Sequence, residues 1–442
     1  MHPGIATQDS TDICVTARQS ADRADFTSSQ ASNRPRATHI LFISDSFSPH
    51  AGGSREYYFN LYRDLAALGL ADVTVLTKKV PGWAAFDASH VSPGFRIVRR
   101  FSPLKSWNYR QLPKGVFPFV QILWKVLRDS PEVIHAGDLY PQGVIASAVS
   151  HLTGIPYVIY CHGEELMQTD RYRYQPRVRN HLYNHAAAVI ANSEFTRSQL
   201  LRVGVREDRI TKITPGVDAA RFQPGPPDDE LIRKYDLAGK TVVLTVGRLV
   251  PRKGHRTSLQ VIANLCQEFP RLHYVIAGTG PEEHNLRQLC LTLGIQDRVT
   301  FTGLTPADAL PRLYTLCDLM LLANREEANG DLEGFGMVFL EASAVAKPVI
   351  GGYSGGAIEA IEDGVTGFLV NPNDLRAMEI AVRRILCNPE LRTAMGSAGR
   401  RRVEAMFNWS QRTQMLHRVN LGILRERAKL TTTALTKNSK LS

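Results

Sequence analysis

The sequence contains few cysteines and no long hydrophobic run. Its 6 cysteines are widely scattered among 442 residues, and no two of them form a Cys-x-x-Cys pair. This pattern disfavours both a disulfide framework and a zinc ribbon, and it makes a reducing cytosol the default compartment. No stretch approaches the roughly 18 apolar residues of a membrane-spanning helix, so no such helix is expected.

Acidic residues are outnumbered by basic ones. There are 53 Lys and Arg residues against 42 Asp and Glu residues, which gives a formal net charge of +11. This balance favours anionic partners, namely phosphates, nucleic acid or an acidic membrane surface, without choosing among them. Residues 1–38 are polar and lack both an apolar segment and a cleavage signature. They are predicted to form a disordered tail and not a signal peptide.

Short apolar runs alternate with amphipathic segments in two successive parts of the chain. The run His39–Ser44 is typical of a buried parallel strand, and a glycine loop and a helix over Ser54–Leu68 follow it. A segment rich in Pro, Gly and Asp interrupts the alternation between 215 and 236, and a second series begins at Thr241–Val246. The fold class is therefore predicted to be α/β, with two doubly wound domains and a ligand cleft between them.

A basic turn follows the first strand of the second series. Between Gly247 and Gly254 the chain presents Arg248 and Lys253 ahead of a predicted helix. Free amides at a helix N-terminus and two cations suit a diphosphate, although a solvated basic turn is the alternative. The chain has no Asp-x-Asp pair, so a divalent metal on a nucleotide diphosphate is not expected, and these cations would have to neutralise the charge.

Two glutamates flank a glycine-rich helix start. Glu333 and Glu341 are separated by seven residues, and the amides of Gly336, Met337 and Val338 should face an anion or a sugar hydroxyl. Eight helical residues span about 12 Å, whereas a retaining glycosidase needs carboxyl groups about 5–5.5 Å apart. The spacing therefore argues against a two-carboxylate hydrolase. Two glutamates on a helix surface are the alternative.

Two further segments follow predicted strands. His162 comes directly after a strand, where its side chain would face the crevice and could bind substrate or accept a proton; a structural histidine is the alternative. The segment Ala277–Pro281 carries a Gly-x-Gly pair without the third glycine of a dinucleotide fingerprint. A tight turn that needs glycine only for its backbone geometry explains it better.

Together these segments resemble the group 1 glycosyltransferases of family four, which have the GT-B fold of two facing Rossmann-like domains. The resemblance extends over about residues 39–424. Its motifs are the segments 52–54, 162–164, 192–195, 214–218, 247–254, 277–281, 333–341 and 354–356.

The resemblance implies retaining transfer of a sugar from a nucleotide diphosphate sugar to an acceptor hydroxyl, with no metal or other cofactor. In this family pattern Arg248 and Lys253 hold the donor diphosphate, Glu341 binds the ribose and Glu333 contacts the donor sugar. His162 lies at the reacting face, so His162 and Glu333 are the predicted catalytic pair. The other predicted donor contacts are Gly53, Gly303, Leu304, Gly336, Met337 and Val338.

The resemblance also implies a division of the chain. An acceptor-binding domain is expected over 39–215 and a nucleotide-sugar domain over 216–407. A helix over 408–424 would cross back to the first domain, and 425–442 would form a flexible tail. The enzyme would act in the cytoplasm, either free or on the inner face of the membrane.

Two segments suggest which substrates are used. Arg248–Lys253 and Asp331–Gly334 look most like the bacterial phosphatidylinositol monomannoside mannosyltransferases, which favours GDP-mannose as the donor, with a UDP-sugar as the alternative. The expected acceptor is a glycan or a lipid-linked molecule, and nucleic acid is not an expected partner. A phosphorylase, a sugar-nucleotide epimerase and an inactive nucleotide-sugar binding protein are the alternatives. No segment suggests the pyridoxal lysine of a phosphorylase.

The segment Arg96–Arg128 suggests contact with a membrane. It holds eight basic residues and no acidic one: Arg96, Arg99, Arg100, Lys105, Arg110, Lys114, Lys125 and Arg128. Interleaved with them are Phe101, Trp107, Tyr109, Phe117, Phe119 and Trp124. Such a mixture suits the interface of an anionic bilayer, with Val120, Leu123 and Leu127 expected in the core. A solvated surface and a patch for an anionic soluble glycan are the alternatives.

Overall fold

Two parallel β-sheets organise the protein, as a computed structural model describes it for residues 37–49, 52–99, 112–167 and 176–438. The predicted tail, apart from its last two residues, lies outside the described part of the chain. From Thr38 onward the chain forms one compact unit. We call each sheet with its helices a lobe: the first lobe runs from Thr38 to Lys212, and the second from Asp229 to Met406.

The first sheet has seven strands. They are β1 (Thr38–Ile43), β2 (Ala71–Leu76), β3 (Phe95–Val98), β4 (Val133–Ala136), β5 (Tyr157–Cys161), β6 (Ala188–Ala191) and β7 (Ile210–Lys212). Their order is β3-β2-β1-β4-β5-β6-β7, and every pairing is parallel.

The second sheet has six strands. They are β8 (Thr241–Val246), β9 (Leu272–Ala277), β10 (Val299–Gly303), β11 (Leu319–Leu322), β12 (Val349–Gly352) and β13 (Gly367–Val370). Their order is β10-β9-β8-β11-β12-β13, again parallel throughout. In both sheets the order reverses beside the first strand, which places a crevice at the carboxyl ends of the strands.

Helices connect the strands. Those of the first lobe are α1 (Gly53–Ala67), α2 (Trp83–His90), α3 (Leu112–Asp129), α4 (Val144–Thr153), α5 (Glu164–Met167), α6 (Pro176–His185) and α7 (Glu194–Arg202). Those of the second are α8 (Asp229–Lys234), α9 (His255–Leu265), α10 (Glu283–Thr292), α11 (Leu310–Thr315), α12 (Met337–Ala344), α13 (Ala357–Ala360), α14 (Leu375–Leu386) and α15 (Pro389–Met406). The predicted doubly wound α/β class is confirmed.

A last helix, α16 (Trp409–Asn438), leaves the second lobe and packs on the first. Trp409, Leu416 and Ile423 are buried in the same core cluster as the residues of β1 and α1. The helix thus returns from the second lobe to the first. It continues through Asn438, into the segment 425–442 that is predicted to form a flexible tail, and residues 439–442 lie outside the described part of the chain.

The helix α3 turns a different face to the core from the one expected. Ile122 and Val126 are buried, whereas Val120 and Leu127 are 53% and 66% exposed, so the prediction that these two lie in the core is wrong. Leu123 is half-buried against the core cluster. The helix is apolar on both sides, so the spacing alone does not select the buried side. No helix in the described ranges is long and apolar enough to cross a bilayer.

Candidate active site

A buried ion cluster follows β8. The chain turns through one short helical turn at Pro251–Lys253 before α9 begins. Lys253 Nζ lies 2.5 Å from Oε2 of Glu333, and Arg252 Nη1 lies 2.9 Å from the same oxygen. All three side chains are buried. The basic turn and the first glutamate of the glycine-rich motif therefore belong to one site.

Burial and neighbouring charges shift the pKa values of this cluster in opposite directions. Burial raises the pKa of Glu333, but the cations of Lys253 and Arg252 outweigh it and hold that pKa below its usual range. Burial lowers the pKa of Lys253, and the Glu333 carboxylate opposes that effect. Because each charge depends on the other for compensation, loss of either would leave the other buried and unbalanced.

Glycine is required where this turn meets the sheet. Gly254 has a φ of +67°, and a Cβ there would lie 1.8 Å from the carbonyl oxygen of Ala323 at the end of β11. No side chain fits so close a contact. The close approach fixes Lys253 beside the loop that carries Glu333. Arg248, in contrast, is exposed, and its backbone oxygen accepts a hydrogen bond from His255 Nε2 at 3.0 Å.

The loop after β11 ends at the start of α12, as predicted. Gly336 precedes the helix with a φ of +86°, and Met337 and Val338 are its first residues. The backbone amides here are the unsatisfied donors of a helix N-terminus. Met337 also reaches the first lobe, where its Sδ would lie 3.6 Å from a Cβ added to Gly53. These four predicted donor contacts therefore lie at one place.

Glu341 lies in the second turn of α12. Tyr314 donates a hydrogen bond of 2.6 Å to Oε2 of Glu341. Burial raises the pKa of Glu341 to about 7, although that hydrogen bond opposes the shift, and the charge of Glu56 in the first lobe adds to it. The field of Lys253 acts on both Glu333 and Glu341. The two glutamates thus face one cation from different positions.

The ring of His162 is held on both sides. Tyr58 Oη donates to the backbone oxygen of Gly137 and lies 2.5 Å from His162 Nε2, so that nitrogen is the donor of the pair. Asn192 Nδ2 lies 3.4 Å from Nδ1, which is then an acceptor. Burial lowers the pKa of His162 to about 4, so the ring is neutral near pH 7. His162 stays a predicted site residue, but both of its nitrogens already have protein partners.

The loops at the carboxyl ends of the two sheets face each other. A Cβ added to Gly334 would lie 2.6 Å from the backbone oxygen of His162 and 3.1 Å from Asn192 Nδ2. Glycine is thus the residue that lets the Glu333 loop reach the first lobe. This contact brings His162 and Glu333, the predicted catalytic pair, to the same face of the cleft.

The remaining predicted donor contacts, Gly303 and Leu304, lie at the end of β10. Leu304 is 66% exposed, and the oxygen of Gly303 accepts a hydrogen bond of 2.9 Å from the amide of Gly278. A Cβ on Gly278 would lie 1.9 Å from the oxygen of Gly247. The Gly-x-Gly segment is therefore a tight turn beside the basic turn, as expected from its incomplete fingerprint.

Some residues at the site had no role predicted from the sequence. Arg252 and Tyr314 hold the two glutamates, and the pairing of each depends on the folded chain. The loop of Gly355 and Gly356 supports Glu333 from behind, because the amide of Gly356 donates to the Glu333 backbone oxygen at 2.9 Å. Both Arg252 and that loop lie in motifs of the resemblance, 247–254 and 354–356, which gave them no role, whereas nothing in the sequence marked Tyr314.

The first lobe adds acidic groups to the cleft. Asp138 follows β4, and burial raises the pKa of its carboxyl group well above the usual range, with the charges of Asp45 and Glu165 adding to the shift. Arg55 faces the same group, since burial and Arg248 lower the pKa of Arg55 while Asp45 and Asp138 raise it. Carboxyl groups beside an arginine are suited to exchange hydrogen bonds with the hydroxyls of a sugar or polyol.

Two sequence families match most of the chain. Residues 227–402 match the glycosyl transferases group 1, and residues 51–221 match glycosyltransferase family 4. The GDP-mannose-dependent alpha-(1-6)-phosphatidylinositol monomannoside mannosyltransferase of Mycolicibacterium smegmatis is 31% identical over 382 residues, which cover 85% of this chain and 96% of that protein. The D-inositol 3-phosphate glycosyltransferase of Frankia alni is 29% identical over 386 residues, covering 81% and 92%.

Solved structures share the arrangement of the two lobes. A sucrose-phosphate synthase from Thermosynechococcus elongatus superposes with a TM-score of 0.75 at 24% identity, covering 88% of this chain and all of that one (100%). Anabaena HepE in complex with UDP and glucose has a TM-score of 0.72 at 22% identity, covering 86% and 98%. At these identities the likeness shows the fold alone, and it confirms the predicted GT-B architecture.

Proposed function

The chain belongs to the group 1 glycosyltransferases, and from that premise we propose that it transfers mannose from GDP-mannose to a hydroxyl of a lipid-linked acceptor. That it is a glycosyltransferase follows from the family; the donor and the acceptor are the proposed part. The mannosyltransferase of M. smegmatis supports both, because it is 31% identical along nearly its whole length. The observation that carries the proposal is the contact of Lys253 with Glu333, which joins a cation proposed to bind the donor phosphate to a carboxylate proposed to bind the donor sugar.

The cations have a direct role in the proposed reaction. As the bond between the sugar and the diphosphate breaks, negative charge grows on the departing phosphate. Lys253, Arg248 and the amides at the start of α12 would stabilise that charge in a site fixed before the reaction. This arrangement supports our inference that no metal ion is needed.

Glu333 and Glu341 have separate proposed roles. Glu333, held by Lys253 and Arg252, would accept hydrogen bonds from hydroxyls of the donor sugar. Glu341, held by Tyr314, would accept hydrogen bonds from the ribose. Leu304, exposed at the end of β10, would pack on the base. In this arrangement the nucleotide lies on the second lobe and the sugar points towards the first.

His162 is proposed to position the acceptor side of the cleft. A neutral ring with a pKa of about 4 and two protein partners is a poor base near pH 7. The departing phosphate oxygen is then the group that takes the acceptor proton, on the same face of the sugar as the attack. Retention of configuration without a covalent enzyme intermediate is consistent with this geometry.

The acceptor is proposed to be presented at a membrane by α3. Five large apolar side chains on this helix are more than half exposed: Val116, Phe117, Val120, Trp124 and Leu127. Residues 117, 120, 124 and 127 follow the helical repeat and form one stripe. The guanidinium of Arg128 lies 4.8 Å from the ring centre of Trp124. An apolar stripe with a basic flank suits the interface of an anionic bilayer.

Not all of the basic residues that suggested membrane contact are exposed. Arg96 and Arg128 are exposed, but Arg99 is buried with Asp87, and Lys125 is buried with Asp129. The remaining basic and aromatic side chains from 100 to 114 lie outside the described residues. The proposal therefore rests on the apolar stripe of α3 more than on charge.

A transfer assay tests the proposed donor and acceptor. Purified enzyme would receive GDP-mannose, UDP-glucose or UDP-galactose with membranes containing phosphatidylinositol mannosides, and lipid and water-soluble products would be separated. We expect transfer of mannose to lipid, with an α-linkage that retains the donor configuration. Transfer from a UDP-sugar alone, or to a soluble acceptor alone, would contradict the proposal.

A further inference from the structure

The two lobes also meet at Glu359 of α13. Its Oε2 accepts from Lys212 Nζ at 3.0 Å, and its Oε1 accepts from the backbone amide of Glu194. Lys212 additionally lies 3.4 Å from the Glu194 carboxylate. Glu359 belongs to the second lobe, whereas Lys212 ends β7 and Glu194 begins α7 in the first. One side chain therefore joins two elements of the opposite lobe.

The contact has the chemistry of a helix cap supplied by the other lobe. Ser193 precedes α7 and already accepts from the amide of Thr196. The amide of Glu194 is another of the unsatisfied donors at that helix start, and a carboxylate is favoured there by the helix dipole. The side chains of Glu359 and Lys212 are 22% and 38% exposed, so water can replace the contact when the lobes separate.

Two backbone hydrogen bonds connect Glu359 to the loop of Glu333. The amide of Glu359 donates to the oxygen of Gly356 at 3.1 Å, and the amide of Gly356 donates to the oxygen of Glu333 at 2.9 Å. Arg402 Nη2 holds the oxygen of Glu359 at 2.8 Å. These contacts connect α13 to the backbone of Glu333, whose carboxylate is proposed to hold the donor sugar.

Both ends of this connection meet the same segment of the first lobe. At one end, Glu359 binds the amide of Glu194. At the other end, Gly334 lies against Asn192 and the oxygen of His162. In this arrangement of the lobes, residues 192–194 thus contact both Gly334 and Glu359.

We propose that Glu359 is a positioning residue for sugar transfer. Its docking on the start of α7 sets the Glu333 loop against His162, and the closed cleft is competent for transfer only when this contact is made. The proposal rests on the proposed role of Glu333 as the donor-sugar contact. It assigns Glu359 no contact with either substrate.

The test compares Glu359→Ala and Glu359→Gln with Glu268→Gln, a matched control that removes an exposed ion pair to Arg383 within the second lobe. Glu359→Ala should lower kcat about tenfold, because a charge-assisted contact is lost only in the closed state. Glu359→Gln keeps an acceptor for the Glu194 amide and should retain more activity. The affinity for GDP, measured by calorimetry, and the Tm should stay those of the wild type.

Two outcomes would overturn the proposal. The first is a kcat for Glu359→Ala equal to that of Glu268→Gln. The second is a parallel loss of kcat, GDP affinity and Tm, which would indicate a purely structural role.

Solution scattering separates this proposal from the proposed function. With a saturating nucleotide, whichever of GDP and UDP calorimetry shows to bind, the wild type should have a smaller radius of gyration than Glu359→Ala, and about 0.5 M salt should reduce the difference because it screens exposed charges. This measurement needs no transfer. If the wild type fails to use GDP-mannose but the radii differ, the donor assignment fails and docking stands. Equal radii would contradict docking whatever the donor.

Discussion

The ammonium group of Lys253 lies 2.5 Å from the carboxylate of Glu333. The cation proposed to bind the donor phosphate and the carboxylate proposed to bind the donor sugar are therefore bound to each other in this structure. In the proposed complex the donor would share Lys253 with Glu333. Recognition of the phosphate would then be coupled to recognition of the sugar through one cation.

Replacing the cations should weaken use of the donor. We expect Lys253→Ala and Arg248→Ala each to lower kcat/KM about tenfold to a hundredfold, since a charge-assisted hydrogen bond contributes about 1.5–3 kcal/mol. Arg248 is exposed, so its variant should keep the Tm of the wild type. Arg383→Ala, which removes an exposed arginine far from the cleft loops in sequence, is the control. A double variant with near-normal kcat/KM would refute the diphosphate assignment.

Glu333→Gln should separate turnover from nucleotide binding. The amide keeps the shape but removes the charge that compensates Lys253 and Arg252, so we expect a lower Tm and at least a tenfold loss of kcat. GDP contains no sugar beyond its ribose, so its affinity should change little in calorimetry. If GDP affinity fell as much as kcat, Glu333 would act on the diphosphate through Lys253.

The affinity for nucleotide should depend on pH through Glu341. With a pKa of about 7, this carboxyl group is mostly ionised at pH 8 but only about one tenth ionised at pH 6. The ionised form is the one proposed to accept from the ribose, so GDP affinity should fall by up to about tenfold from pH 8 to pH 6. In Glu341→Gln this carboxyl group no longer titrates, so only the phosphates of GDP itself contribute to the pH dependence. A pH dependence identical in both proteins would rule out the ribose role.

Glu341 should also make stability depend on pH, but stability should fall with rising pH whereas nucleotide affinity rises. Its folded pKa of about 7 lies above the ordinary value of 4.5, so the folded protein binds more protons than the unfolded chain between those values. The free energy of unfolding contributed by Glu341 therefore falls as pH rises from 4.5 to 7. The Tm of Glu341→Gln minus that of the wild type should therefore be larger at pH 8 than at pH 5. An unchanged difference would contradict the shifted pKa.

Vesicle flotation tests the apolar stripe of α3. Phe117→Ser combined with Trp124→Ser should lower co-flotation with anionic vesicles at least tenfold, because each large apolar side chain contributes about 1.5–3 kcal/mol when buried. Both side chains are more than half exposed, so folding should be retained. Leu291→Ser with Ile380→Ser removes exposed apolar groups from the second lobe as a control. Equal flotation of the two double variants would exclude α3 as the contact.

The two parts of α16 should respond differently to change. Leu416 is fully buried in the core of the first lobe, so Leu416→Ala should cost about 2–5 kcal/mol in the free energy of unfolding. Most described side chains of residues 425–438 are exposed, so a stop after 424 should shift the Tm by no more than about 2 °C. A large loss of Tm on truncation would show that the exposed end carries stability.

The sheet framework follows from local patterns. Buried parallel strands such as β1, β5, β8 and β9 are continuous apolar runs, and these can be recognised without a partner. The strand β7 escaped prediction because Ile210–Lys212 is three residues long and only half-buried, which leaves no apolar run to detect. The face of α3 could not be chosen either, because packing decides between two apolar sides of one helix.

The site was predictable where backbone chemistry defines it. The glycine-bounded turn at Lys253 and the helix start at Gly336 are visible because glycine marks both. Which arginine of the turn would be buried is not visible: Arg252 meets Glu333 in the core, while Arg248 is exposed. Which arginine is buried depends on the loop of Glu333, a residue 81 positions beyond Arg252 in the chain.

The chain passes between the lobes twice, and the two passages touch. The amide of Val217 donates to the oxygen of Phe407 at 2.8 Å, and a Cβ on Gly216 would lie 2.9 Å from the ring of Trp409. Because the two connections are hydrogen-bonded to each other, a change in the angle between the lobes has to bend both of them at this one place.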